Sequence, residues 1–156
     1  MRGVVTMELI LWRHAEAQNG SPDLERELTV RGEKQAEKMA SFLRSRLPDN
    51  IRILASPAKR TQQTARALSK HFITEPAIGP GASTRDILQT AGWPDAEDNV
   101  LIVGHQPALG LVAALLLADS SCGFSIKKGA VWWLSRHTSE GDFQTNLLLA
   151  IAPDNL

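Results

Sequence analysis

Two arginines and two histidines stand at or just past the ends of three short apolar runs. Glu8-Leu-Ile-Leu-Trp12 leads into Arg13-His14, and Ile51-Arg-Ile-Leu-Ala55 leads into Ser56-Pro57-Ala-Lys-Arg60. Val100-Leu-Ile-Val103 leads into Gly104-His105-Gln-Pro107. Arginine makes poor core material, because its charge is seldom buried without a partner. It makes a good anion clamp, because the guanidinium is always charged and forks onto phosphate or carboxylate oxygens. Two such forks suit a tetrahedral dianion better than a single carboxylate. Imidazole adds a nucleophile or proton carrier near neutral pH. On a phosphoryl substrate, His14 would attack phosphorus in line and become transiently phosphorylated. Arg13, Arg60 and His105 (as a cation or an N–H donor) would hold the equatorial oxygens, and water would then release phosphate. Gly104 permits close backbone approach beside His105.

The elements that must carry these residues alternate strand and helix. Residues 8–12 read as a strand buried on both faces. Residues 15–27 read as a loop, and Thr29 as an N-cap with Glu33 near capping-box spacing. Ala36, Met39, Ala40, Leu43 and Leu47 repeat at helical intervals until Pro48-Asp49-Asn50. Strand 51–55 follows, then a helix over 58–72 that buries Thr61, Thr64, Ala65, Leu68 and Phe72. Ser56 reads as the N-cap of that helix and Pro57 as its first residue, which would aim the helix N-terminus at a phosphate. Residues 74–99 read as loop with a short helix over 84–91. Strand 100–103, a buried helix over 108–117, and a hairpin of 130–135 with 143–151 complete the chain. The order predicts an α/β fold: three layers, a doubly wound and mostly parallel sheet with helices on both faces, and a C-terminal hairpin. Strand ends are where open sheets of this kind bind ligands.

At 156 residues the chain is expected to form one domain over 1–156, with residues 1–6 as a disordered extension or Met7 as the true start. The 17 basic and 17 acidic residues cancel, which argues against non-specific nucleic-acid binding but leaves room for a local positive pocket. Cys122 is the one cysteine, so no internal disulfide forms, as fits a reducing, cytoplasmic setting. A membrane span needs about 20 apolar residues, and no stretch approaches that. Residues 1–6 lack the apolar core of a secretory signal.

Leu-Trp-Arg13-His14-Ala15, then Ser56-Pro57-Ala-Lys-Arg60-Thr-Gln-Gln63-Thr64, then Val-Gly104-His105-Gln-Pro107 together resemble the histidine phosphatase (phosphoglycerate mutase-like) superfamily. Within it the chain is most similar to the short bacterial SixA-type phosphohistidine phosphatases. Leu28-Thr29-Val-Arg31-Gly32-Glu-Lys-Gln35-Ala36 and Pro80-Gly81-Ala82-Ser83 add to the likeness. The resemblance implies a nucleophile at His14, phosphate binding by Arg13, Arg60 and His105, and neither metal nor organic cofactor. It implies a phosphorylated protein or a small phosphate ester as partner. Two departures stand out. The family usually has glycine after the nucleophile, and this chain has Ala15, which a positive φ would strain. Many members also carry an acidic residue between the second and third motifs as general acid. Of the carboxylates in 73–99, Asp86 lies nearest the Pro-Gly-Ala-Ser loop and is the candidate acid. A site without an acid suits P–N bonds better than P–O bonds, because imidazole is a good leaving group. The chain also has little length for a lid, which suits an open site on a protein.

Other readings compete. A catalytically weak phosphate- or phosphoprotein-binding module would keep the pocket and explain Ala15. A mutase would need more enclosing structure. Metal ligation by His14 and His105 would place a cation beside two arginines. His71 and His137 read as incidental, and Glu16 as a loop carboxylate paired with a nearby arginine. Alternation divides Trp132 and Trp133 between core and surface, where an exposed tryptophan would mark a partner surface.

Overall fold

A computed structural model describes residues 5–156. The sheet has six strands in the order β3-β2-β4-β1-β5-β6. These are β1 (Val5–Arg13), β2 (Ile51–Ala55), β3 (Ile73–Thr74), β4 (Asn99–Gly104), β5 (Val131–Ser139) and β6 (Asp142–Ile151). The first four run parallel. β5 runs antiparallel to β1, and β6 antiparallel to β5. The doubly wound sheet with a C-terminal hairpin is the architecture expected. β1 starts before the expected Glu8, since Val5 and Thr6 already pair with Thr138 and His137. Residues 1–4, the rest of the expected extension, lie outside the described residues.

Alternation along the strands makes two cores. Leu9, Leu11, Val100 and Ile102 face one way and pack against Ile87 and Ala91 of α3 (Thr84–Ala91) and Leu109 and Val112 of α4 (Ala108–Ala118). Ile10, Trp12, Leu101 and Val103 face the other way and pack against Met39 and Leu43 of α1 (Val30–Arg44) and Ala65 of α2 (Lys59–Leu68). Neighbouring residues on buried strands thus serve opposite layers, which is why those strands read as unbroken apolar runs. The same rule disposes of both tryptophans. Trp133 is buried in the α1–α2 layer, and Trp132 is half-buried against the α3–α4 layer.

Three expectations need correction. The second helix begins at Lys59, capped by Ala58 with no side-chain bond, so Ser56 is not its N-cap. Ala58 is extended (ψ 142), which keeps the chain out of the helix for one residue past Pro57. That helix also ends at Leu68, so Phe72 lies beyond it. Ile73–Thr74, at the border of the stretch read as loop, forms the short edge strand β3 beside Leu54 and Ala55. α1 and α3 are as expected, with Thr29 accepting from the Gly32 N–H and Ser83 from the Asp86 N–H.

Candidate active site

β1 and β4 are neighbours, and they end side by side with Arg13 opposite Gly104. The backbone continues this pairing for one more step, as the His14 N–H donates to the Gly104 carbonyl at 3.1 Å. Arg13-His14 and His105 are therefore fixed at the C-terminal ends of the two central strands by main-chain bonds. Arg60 comes from the first turn of α2. All four line one cavity of about 220 Å³, together with Arg26, Gln106 and Lys128. Pro80 and Gly81 close another side, from the loop singled out in the sequence. Among the described residues, the lining contains no carboxylate.

The His14 ring has a defined tautomer. Its Nδ1 lies 2.7 Å from the Ala15 carbonyl. A carbonyl only accepts, so Nδ1 carries the proton and Nε2 keeps its lone pair. Burial, and then Arg60 and Arg13, lower the His14 pKa to about 4, with the Ala15 bond opposing them. The ring is neutral at pH 7. His105 lies 5.4 Å from it, centroid to centroid. Its Nε2 is 2.7 Å from Ser56 Oγ, and Arg60 Nη2 is 3.4 Å from its Nδ1. Arginine only donates, so Nδ1 is the bare nitrogen and Nε2–H donates to Ser56. Burial, and then the nearby His14 and Arg60, lower its pKa to about 3. Ser56 thus orients His105 rather than starting a helix.

The two arginines are held by backbone and left partly unspent. Arg13 donates from Nη1 to the Ile126 carbonyl at 2.8 Å. Arg60, 4% exposed, donates from Nη1 to the Asp23 carbonyl and from Nη2 to Asp23 Oδ2, at 2.8 and 3.1 Å. The Nε–H of each is buried without an acceptor. An unpartnered buried donor is costly. Asp23 also takes Arg26 Nη1 at 2.9 Å, and Arg26 and Arg60 hold its carboxyl below the usual carboxylate range. Sequence reasoning missed Asp23, Arg26 and Lys128. Asp23 and Arg26 at i and i+3 across a short 3-10 turn were the one local signal.

Ala15 is not strained. Among the described residues other than glycine, only Asp119 and Glu140 have positive φ. Its N–H donates to Thr64 Oγ1 at 3.1 Å, and its methyl packs with Leu28 and Ala36. Asp86 is not brought to the cavity. It forms a reciprocal capping box with Ser83 at the start of α3. Those bonds to Ser83 keep its carboxyl ionised below the ordinary range, the wrong state for an acid. Glu16 receives a hydrogen bond from Thr29 and lies 4.0 Å from Arg31, the arginine pairing expected of it. Among the described residues, no three His, Cys, Asp or Glu side chains gather as a metal site, and no helix is long and apolar enough to cross a membrane.

Known proteins resemble this chain in sequence and in fold. An uncharacterised protein of Picosynechococcus sp. is 30% identical over 136 residues, covering 80% of this chain and 82% of its own. The solved SixA protein histidine phosphatase in complex with tungstate superposes with a TM-score of 0.79 at 21% identity, over 96% of this chain and 99% of that one. A SixA chain from Nakamurella multipartitia gives 0.78 at 24% identity, over 95% and 96%. A mycobacterial glucosyl-3-phosphoglycerate phosphatase gives 0.68 at 17% identity, over 92% and 98%. The profile of the histidine phosphatase superfamily (branch 1) matches residues 9–94, more than half of the sequence. The chain belongs to the histidine phosphatase superfamily.

Proposed function

We propose that this protein is a metal-independent phosphatase that hydrolyses phosphohistidine on other proteins through a phosphohistidine at His14. The observation that carries the reading is the convergence of neutral His14, with Nε2 unprotonated, and Arg13, Arg60 and His105 on one cavity without a carboxylate. Nε2 attacks phosphorus while Arg13 and Arg60 receive the equatorial oxygens. An arriving dianion reverses the field at His105, so a proton on its Nδ1 becomes favourable and adds a third donor. The substrate imidazole departs neutral, carrying its proton on the ring nitrogen away from phosphorus. No acid at the scissile bond is required. A serine or sugar alkoxide has no second nitrogen to carry a proton, and Asp86 is turned away in its capping box. Water then cleaves the P–N bond at His14, releasing phosphate and the free enzyme.

The tungstate complex of the SixA relative fits this reading, since tungstate is a tetrahedral oxyanion. Cys122, free and exposed, fits a cytoplasmic setting. Ala15 alone favoured a binding module, and its relaxed, packed backbone removes that reason. The test is a comparison of rates on a histidine-phosphorylated protein, a phosphoserine peptide and p-nitrophenyl phosphate, with and without EDTA. The first is expected to turn over fastest, EDTA to change nothing, and His14→Ala to abolish every activity. Equal rates on all three substrates, or turnover by His14→Ala, would overturn the reading.

A further inference from the structure

The segment 119–130, between α4 and β5, is bound to the site at five points, one of them the Arg13 backbone N–H donating to the Ala130 carbonyl at 3.1 Å. Gly129 N–H donates to the His14 carbonyl at 3.0 Å, and Trp12 Nε1 donates to the Gly129 carbonyl at 3.1 Å. Arg13 Nη1 donates to the Ile126 carbonyl at 2.8 Å. Gln106 Nε2 donates to the Phe124 carbonyl at 3.0 Å. Each partner is a site residue or its immediate neighbour. This segment is therefore held in fixed register with the reacting centre. It also contributes Lys128 to the cavity wall.

Phe124 is the one large apolar residue of Asp119-Ser-Ser-Cys-Gly-Phe-Ser125. Phe124 is 38% exposed and belongs to neither core. It stacks on Trp132, with ring centroids 5.0 Å apart and an interplanar angle of 28°. The result is a two-ring platform, Phe124 on the segment that supplies Lys128 to the cavity and Trp132 on β5. The cavity wall carries Arg26 and Lys128 and, among the described residues, no carboxylate, although the charges of the whole chain cancel.

We infer that Phe124, backed by Trp132, is a docking platform for the phosphohistidine-bearing protein, meeting an apolar side chain beside its phosphorylated histidine. The partner surface around that contact carries acidic groups that face Lys128. Phe124 is tied to the cavity by its carbonyl, which accepts from the lining residue Gln106, and by Lys128, which its own segment adds to the lining; the cations of that lining favour an acidic partner surface. A rigid aromatic ring gives contact area at small entropic cost, and such rings dominate protein interfaces. A small phosphate in the cavity reaches none of this surface.

The inference rests on the phosphohistidine reading. The experiment measures kcat/KM of wild type, Phe124→Ser and Phe124→Leu on a histidine-phosphorylated protein and on phosphoramidate, a small P–N substrate. Phe124→Ser is expected to lose about tenfold or more on the protein, the scale of an interface hot spot. It is expected to keep its rate on phosphoramidate, and Phe124→Leu to recover part of the loss. Thermal unfolding of both variants separates misfolding from lost docking, and the Phe124→Leu comparison decides the question if the serine variant unfolds. Equal losses on both substrates assign Phe124 to support of Arg13 and overturn the inference. So does an unchanged rate on the protein, or a loss of self-association with that rate unchanged, which gives the surface to a second copy. A wild type inactive on the protein but active on phosphoramidate overturns the phosphohistidine-protein reading itself.

Discussion

Arg60 is buried, charged and tied to a carboxylate from a distant loop, and these three facts set what its loss would do. Its guanidinium is held before substrate arrives, so no reorganisation is needed during phosphoryl transfer. Arg60→Ala is expected to cost about 3 kcal/mol of transition-state stabilisation, roughly a hundredfold in kcat/KM. Asp23→Asn keeps an oxygen for Arg60 Nη2 but loses the charge shared with Arg26. Because Asp23 is half exposed, its effect on kcat/KM is expected to stay below about fivefold, the scale of an exposed ion pair. Inorganic phosphate should inhibit that variant at least as tightly as wild type, since a competing carboxylate has lost its charge. Weaker phosphate inhibition would show instead that Asp23 positions Arg60. The four candidate residues that line the cavity were legible because their types are out of place in apolar runs. Asp23 was not, because an acidic residue in a polar loop is ordinary until its partner, 37 positions away, is known.

At the scale of elements, site geometry depends on how closely α4 and the segment after it approach. Gly110 is where they meet, and a Cβ there would lie 1.8 Å from the Phe124 carbonyl oxygen. Backbone oxygen cannot swing aside as a side chain can. Gly110→Ala is therefore expected to destabilise by about 1–3 kcal/mol, as overpacking does. Calorimetry should find a Tm lower by roughly 2–10 °C. The shift should also reach Arg13 through Ile126, so phosphatase turnover should fall alongside Tm. An unchanged Tm would mean that the segment yields freely, and with it the fixed register of the docking platform would fail. Legibility at this scale follows periodicity. α1 and α3 were readable because one apolar face repeats, α4 because its residues are apolar almost throughout, and the hairpin because two strand-like runs flank Ser139-Glu-Gly-Asp142. The start of α2 was not, because Ser56-Pro57 has the composition of a helix start while Ser56 Oγ is committed to His105. β3 is two residues long and carries no pattern.

Across the whole molecule the charges balance, yet the cavity concentrates cations beside two neutral imidazoles. Stability must then depend on pH in a definite direction. His14 titrates at about 4 and His105 at about 3 in the fold, while an unfolded histidine titrates near 6.5. Between those values the unfolded chain holds more protons, so unfolding free energy rises with pH and is lost as pH falls from about 6.5 toward 4. For His14 the full loss is on the order of 3 kcal/mol. Urea unfolding midpoints at pH 7.5, 6 and 4.5 should fall accordingly. The His14→Asn/His105→Asn double variant should show a shallower fall over the same range. Sulfate, a dianion across that range, should also flatten the wild-type slope by favouring protonated rings in the filled cavity. It should leave the slope of the double variant alone, which separates occupancy of the site from the general stabilising action of the salt. A wild-type slope that sulfate does not change would mean that the anion does not meet these histidines, and the proposed phosphate clamp would fall with it.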